Sequence, residues 1–483
     1  MSYQQQSSTG TILIVTPLNV LAGAVVTAAS AIASPVLIYG ATDDDTGGEL
    51  ILQYGATVSG PIAFFGGGGE FHDLSGVAGA YQFYGGGGVI RFSAPGASAT
   101  IANTDGQWDS VYGAAISVTL DGGQASVIGA NNLVSFGQGA NAVSLYGAAA
   151  QWNTVVGSAG TATVASGSAS FVGGGDTIYA AAGSWLSLYD THAIADVVNA
   201  SSAFVILNDV TVEVHGGGDS ILLTAPSTVG LSGGPGLWDS VIGDHATVNI
   251  NGVNATMIGG DDTISATAGT WLTLYQTGTA TDSVTASGAH VIVDAAYGAI
   301  AGGSNEIFAL GAASVSLSGT AGAWDLLHGS NAAISLDSAQ VSILGGGDSI
   351  TASGSALSLY DTAGQADTVS GGHNALALVG AEASLQGGYN DVYLAGASAL
   401  AVTGGDDAFH FAAALGQATI SGFNASDSLA FSAADWTSYN ALMSSGDVTQ
   451  SGADTVIRLD ATDALTLTGT QASSLAAAHL VFS

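Results

Sequence analysis

The chain has 483 residues, 72 of them Gly and none Cys, with two basic residues against 37 acidic ones and a formal net charge of −35. That balance excludes the ordinary means of holding nucleic acid, which relies on Lys and Arg against phosphate, and the lack of Cys leaves no disulfide framework. With 47% hydrophobic residues the chain is not a disordered polyanion, although only 8% of it is charged, where a globular enzyme carries about a quarter.

Residues 1–60 read as an apolar N-terminal cap or assembly segment. The stretch 11–38 is unusually apolar, but Pro17, Asn19 and Pro35 interrupt it and β-branched residues dominate, so no transmembrane segment is expected. No Lys or Arg precedes Arg91, so a cleavable secretory signal with a basic start is not expected either. Two roles fit the stretch. It caps the structure as a first irregular coil, or it donates a strand to the open end of another molecule.

Residues 61–403 carry strict repetition. Asp176, Asp219 and Asp262 stand 43 residues apart, each closing a glycine run (GGGDTI, GGGDSI, GGDDTI), and Asp348 in GGGDSI resumes the series after a weaker copy at Glu306. A second series runs Asp109, Asn153, Asp196, Asp239, Asp282, Asp325, Asp367, and a third runs Leu145, Leu188, Leu231, Leu274, Leu317, Leu359. Such a period means stacked copies of one supersecondary unit. Short alternating runs such as TIYA and WLSLY, bounded by Gly, Ser, Asn and Asp, read as strands and turns. The expected fold is therefore all-β: a right-handed parallel β-helix, or β-solenoid, of about 21–22 residues and three strands per coil, with 43 residues holding two coils. Coils about 4.8 Å apart would then make roughly 16 levels and a rod of about 75 Å. A longer period of 86 residues relates Trp152, Trp238 and Trp324, and also Trp185 and Trp271, so four coils of that size return the same face. The rings either fill gaps or offer periodic docking points.

Stacking in register would bring Asp176, Asp196, Asp219, Asp239, Asp262 and Asp282 to one corner at successive levels. Carboxylates about 5 Å apart repel by roughly 1 kcal/mol in water, and more when partly buried. Bound cations, backbone N–H donors or raised pKa values must relieve that repulsion. The all-oxygen donor set of carboxylates and Gly carbonyls is the kind that Ca²⁺ takes. The segments GGGDTI (173–178), GGGDSI (345–350) and GGDDAF (404–409) resemble the second half of the nonapeptide calcium repeat of RTX proteins. The half-motifs stand 43 residues apart rather than nine, so the resemblance implies ion sites at isolated corners and no regular β-roll. The candidate Ca²⁺ ligands are Asp176, Asp219, Asp262, Asp348, Asp406, Asp407 and Asp427, and turn capping is the alternative role for them.

Residues 404–483 change character: GGDDAFHF, ATISGFNASDSLAF, a helix-compatible AADWTSYNALMSSG, then a run ending in Leu480-Val481-Phe482. Phe409, Phe411, the run from Thr419 to Asp427, DTVI at 454–457 and the apolar terminus make this segment similar to the C-terminal domain of RTX-type proteins exported by type I secretion. Gly422 departs from that pattern, which usually has an acidic residue there. The resemblance implies an uncleaved C-terminal signal, type I secretion machinery as a partner and an extracellular or cell-surface location in a Gram-negative bacterium, with folding coupled to Ca²⁺ outside the cell. A plain β-rich cap on the last coil is the bland counterpart.

The chain reads as a secreted structural protein that self-associates as a homo-polymer into a filament, surface layer or biofilm matrix. An adhesin or glycan- or surface-binding module using the periodic aromatic faces is the alternative. A polysaccharide-active β-helix enzyme ranks third: Arg91 and Arg458 are isolated, the nine His are scattered, and the pairs Asp261–Asp262 and Asp406–Asp407 are adjacent residues that point to opposite faces. No catalytic residue is assigned.

Overall fold

The computed structural model describes residues 18–21, 25–28, 32, 35–39, 48–53, 56, 58, 61–65, 69–102, 107–148, 151–189, 194–234, 236–275, 278–319, 322–360 and 364–482. The chain divides into two compact units, residues 1–242 and 243–483. Each is a β-solenoid whose strands pair in parallel with their equivalents one coil away. In the first unit Trp152 lies beside Ser168, Ser168 beside Trp185, Trp185 beside Phe204, and Phe204 beside Ser220. In the second, Trp271 lies beside His290, His290 beside Glu306 and Glu306 beside Leu326.

These pairs are 16 to 20 residues apart, and each coil has two strands, one per sheet. Thr177–Ala180 and Trp185–Tyr189, for example, form one coil. The expected 21–22 residues and three strands per coil are thereby corrected. The 43-residue period spans five strands, two and a half coils. Asp262 precedes Thr263–Ala266 of one sheet, Asn305 precedes Glu306–Leu310 of the other, and Asp348 precedes Ser349–Ser353 back on the first. An odd number of strands moves each copy to the opposite sheet, so 86 residues, five coils and not four, restore a face. The third apolar run in each half-repeat belongs to the next coil.

Alternation along each strand sends Ile, Val, Leu and Ala inward. Ala169, Leu186, Val205 and Ile221 form one fully buried ladder in the first unit, and Leu272, Val291, Ile307 and Leu327 another in the second. Each fully buried Leu, Ile or Val contributes on the order of 1.5–3 kcal/mol, so the ladder is the main cohesive term. Early coils use rings instead: Phe71 packs against Tyr81, Phe83 and Phe92 at 5.0–6.3 Å.

The glycine that opens each of these glycine runs has a steric cause. Gly173, Gly216, Gly259, Gly302 and Gly345, again 43 residues apart, have φ between +127° and +149°. A Cβ on any of them would sit 1.5–2.0 Å from a carbonyl oxygen of the preceding coil. No other residue fits there.

Strands Leu18–Val20, Val25–Ala28 and Val36–Tyr39 pair in parallel with the strands that follow, so the described part of the apolar N-terminal stretch belongs to the first coils. Residues 11–17 and most of the remainder to 47 lie outside the described residues. At the other end the coil continues past residue 404, through Ala408–Phe411, Gln417–Ser421 and Ser428–Phe431. A short helix, Tyr439–Ser445, follows; Ser438 caps it and Gly446 ends it at φ +89°. An antiparallel hairpin, Val448–Ser451 with Asp454–Arg458, then pairs to Ala464–Thr468, which itself adds to the solenoid sheet. This hairpin covers the sheet edge that a bare coil would expose. Among the described residues no helix is long and apolar enough to cross a membrane.

Candidate functional site

The repeated carboxylates sit at coil corners, and they do not share one corner. They occur as pairs one coil apart, and consecutive pairs within a unit lie on opposite sheets. In the first unit Asp176 and Asp196 stand on one sheet, Asp219 and Asp239 on the other; in the second, Asp262 and Asp282 precede Asn305 and Asp325, then Asp348 and Asp367. The expectation of a single column of acids is corrected: five strands per 43 residues forbid it.

Four of these aspartates use the same bond. Gly160, Ala203, Ala246 and Ala332 donate their N–H groups at 2.7–2.8 Å to Oδ1 of Asp176, Asp219, Asp262 and Asp348, each one coil further on. The N–H groups of these four aspartates donate in turn to Oδ1 of Asp196, Asp239, Asp282 and Asp367 at 2.8–3.1 Å. The side chain supplies the acceptor that the ladder lacks where a strand begins. All four are 1% exposed.

The second oxygen is the chemical oddity. Oδ2 of Asp219, Asp239, Asp262, Asp348 and Asp407 is buried and has no hydrogen-bond partner. Burial, which penalises the charged form, pushes Asp219 up to about 6 and Asp262 up to about 7; the facing carboxylates Asp239 and Asp282 add to this, and the backbone N–H bonds oppose it. Asp239, Asp325, Asp348, Asp407 and Asp427 are raised for the same first reason. A proton on Oδ2 removes the charge that burial penalises.

A calcium ion asks for six to eight oxygens. At Asp176, Asp219, Asp262 and Asp348 one oxygen of each carboxylate already accepts a backbone N–H, which leaves the other as the atom a cation would meet. Toward the C-terminus the donors are richer. Asp407 Oδ1 accepts from both Asn390 N–H and Asn390 Nδ2, while Asp427 accepts from Asp407 N–H and Asn424 N–H. Exposed Asp406 holds a left-handed φ of +62° and its negative charge reaches both neighbours. Structure brings Asp406, Asp407 and Asp427 together, and keeps Asp176, Asp219, Asp262 and Asp348 at separate corners.

Outward faces hold the other candidates. Rings in register stack on one another along the coil axis: Trp185 on Phe204 at 4.6 Å, Trp271 on His290 at 4.3 Å, and Tyr393 on His410 at 4.5 Å. Each such contact consumes a ring face that a sugar would otherwise need. In the second unit Glu306 lies between His290 and His328, at 2.9 and 3.2 Å. A comparable group near the N-terminus was not anticipated: His72 meets Glu49 at 3.3 Å and Glu70 at 2.7 Å, one on each ring nitrogen. Glu49 and Glu70 are cross-strand partners, and His72 shares their face two residues on. The 21-residue step between the two Glu was the only signal in the sequence. Among the described residues this is the one group of three metal-binding side chains with ligand atoms within 4.8 Å of one another.

Comparison with protein-family models, curated proteins and solved structures returned no match.

Proposed function

We propose that this is a secreted structural protein whose solenoid self-associates into a filament, surface layer or extracellular matrix. The observation that carries this reading is the use made of the repeated polar residues. The carboxylates that looked like a site spend an oxygen on the backbone of the preceding coil, so the repeat is devoted to building length. Export by a type I route rests on the likeness of residues 404–483 to the C-terminal domain of RTX-type proteins, and the extracellular, Gram-negative location follows from that likeness alone. Calcium belongs to this reading at Asp406, Asp407 and Asp427, where an exposed carboxylate stands beside two buried ones; Asp262, with exposed Asp261 next to it, is the second such corner.

Electron microscopy of the purified chain with and without Ca²⁺ tests the assembly. Filaments or sheets are expected, and monodisperse particles under both conditions refute it. Calorimetry tests the metal separately: heat that disappears in Asp407→Ala supports the site, and no heat with no shift of melting temperature removes it. The adhesin reading keeps one supporting observation, the exposure of Trp185, Trp238 and Trp324 at 40–44%. Binding to a glycan array that is lost in Trp238→Ala would establish it.

A further inference from the structure

The strands that build one sheet of the first unit between residues 133 and 242 are Leu133–Phe136, Trp152–Val156, Ser168–Val172, Trp185–Tyr189, Phe204–Asn208, Ser220–Leu223 and Trp238–Ile242. In a chain of net charge −35 these seven strands contain a single Asp, Glu, Lys, Arg or His, namely Asp239, and that carboxylate is buried at a corner on the N–H of Asp219. Their outward positions are apolar or hydroxyl-bearing, apart from the amide of Asn208. Trp185, Phe204, Leu222, Trp238 and Ile242 are 37–44% exposed, large apolar side chains left in water by a sheet that has a full core on its other side.

Relief on this face follows two neighbouring rows. One row reads Trp185, Phe204, Ser220, Ser240 along the coil axis. The adjacent row reads Ser187, Ile206, Leu222, Ile242. Bulk lies on the first row at early levels and on the second row at later ones, with serine hollows opposite. A copy turned by a two-fold axis across the face sets ridge against hollow.

We infer that this uncharged sheet face is the surface through which a second copy of the same chain docks, side by side. The inference rests on the self-association proposed above and names its contact. Two polyanions repel wherever carboxylates approach, so like copies meet at least cost on a face that carries none. Depletion of charge at the centre with Trp, Phe and aliphatic residues is also the composition of an interface core. Seven strands about 4.8 Å apart and some 16 Å long give an area on the order of 500 Å² per copy, below the ~800 Å² of a stable pair. The single contact is therefore weak, and a lattice gains strength by repeating it.

Sedimentation velocity of the full chain across a concentration series, at low and high salt, tests this. Wild type is expected to associate reversibly and more strongly as salt screens the net charge. Leu222→Asp puts a carboxylate among the exposed apolar side chains of the face on both copies and should weaken association about tenfold or more, with the melting temperature unchanged because Leu222 points outward. Tyr179→Asp, the same charge on an exposed residue of the other sheet, should leave association within about twofold. Equal loss in both variants overturns the inference, since general charge would then be the cause. Association that ignores Leu222→Asp overturns it while the assembly reading stands; a monomer at every salt overturns both. Should Leu222→Asp spare association yet abolish binding to a glycan array or to phosphatidylcholine vesicles, the occupant is a sugar or a lipid, and the inference falls.

Discussion

Asp262 and Asn305 hold the same place in successive repeats of the second unit, and their neighbours treat them differently. Both accept a backbone N–H through Oδ1, from Ala246 at 2.8 Å and from Ala289 at 3.1 Å. Asn305 also donates Nδ2–H to Ala286 carbonyl at 3.1 Å, and Asn132 and Asn374 make the same second bond to Gly113 and Ala352. Asp262, whose second atom is an oxygen, cannot donate unless it is protonated, and its Oδ2 is left without a partner. The corner is a two-bond socket, one acceptor and one donor. Asparagine fills it at any pH; aspartic acid fills it only with a proton on board.

The largest effect that would sharpen this contrast is Asn305→Asp. Above neutral pH it should cost about 1–3 kcal/mol, by removing the donor and burying a charge, and urea unfolding should show the loss shrinking on acidification. An unchanged midpoint at high pH would break the comparison. The reverse change, Asp262→Asn, should stabilise above neutrality by roughly 1 kcal/mol and have little effect in acid. For the unmodified protein the sign follows from the direction of the shifts. A folded-state value raised above 3.8 means stability that is complete below 3.8 and is lost as pH rises through about 6 for Asp219 and about 7 for Asp262. Melting temperature should therefore climb on going from alkaline to mildly acidic buffer, opposite to ordinary acid denaturation; a flat or falling trend contradicts it. Asp337→Asn, at an exposed position in the second unit, should change stability by less than ~0.5 kcal/mol at any pH. It is the control against a general effect of charge.

Much of the solenoid was legible because its causes are local or periodic. Alternation in WLSLY and TIYA marks strands, and the recurring glycine runs mark the turns between them. Less legible was the coil itself. Three runs per half-repeat looked like three strands per coil, whereas coil length depends on which strands pair, and pairing is settled by how two facing sheets close around one apolar interior. The corner carboxylates were read as one column for the same reason. Their role as backbone caps was among the expectations, but a carboxylate on an N–H group and a carboxylate on a cation have one sequence signature. The Glu49–Glu70–His72 group escaped notice because it falls where the period is weak.

By itself the sequence determined that this chain stacks short parallel strands and that acid groups recur beside glycine runs at the turns, since each of these follows from alternation or spacing along the chain. Only the tertiary structure decided that five strands make a repeat, that each aspartate meets the N–H one coil earlier, and that one sheet of the first unit is bare of charge. Those depend on residues 16 to 20 positions apart coming side by side, a register that no single segment encodes and that the closing of the whole coil selects.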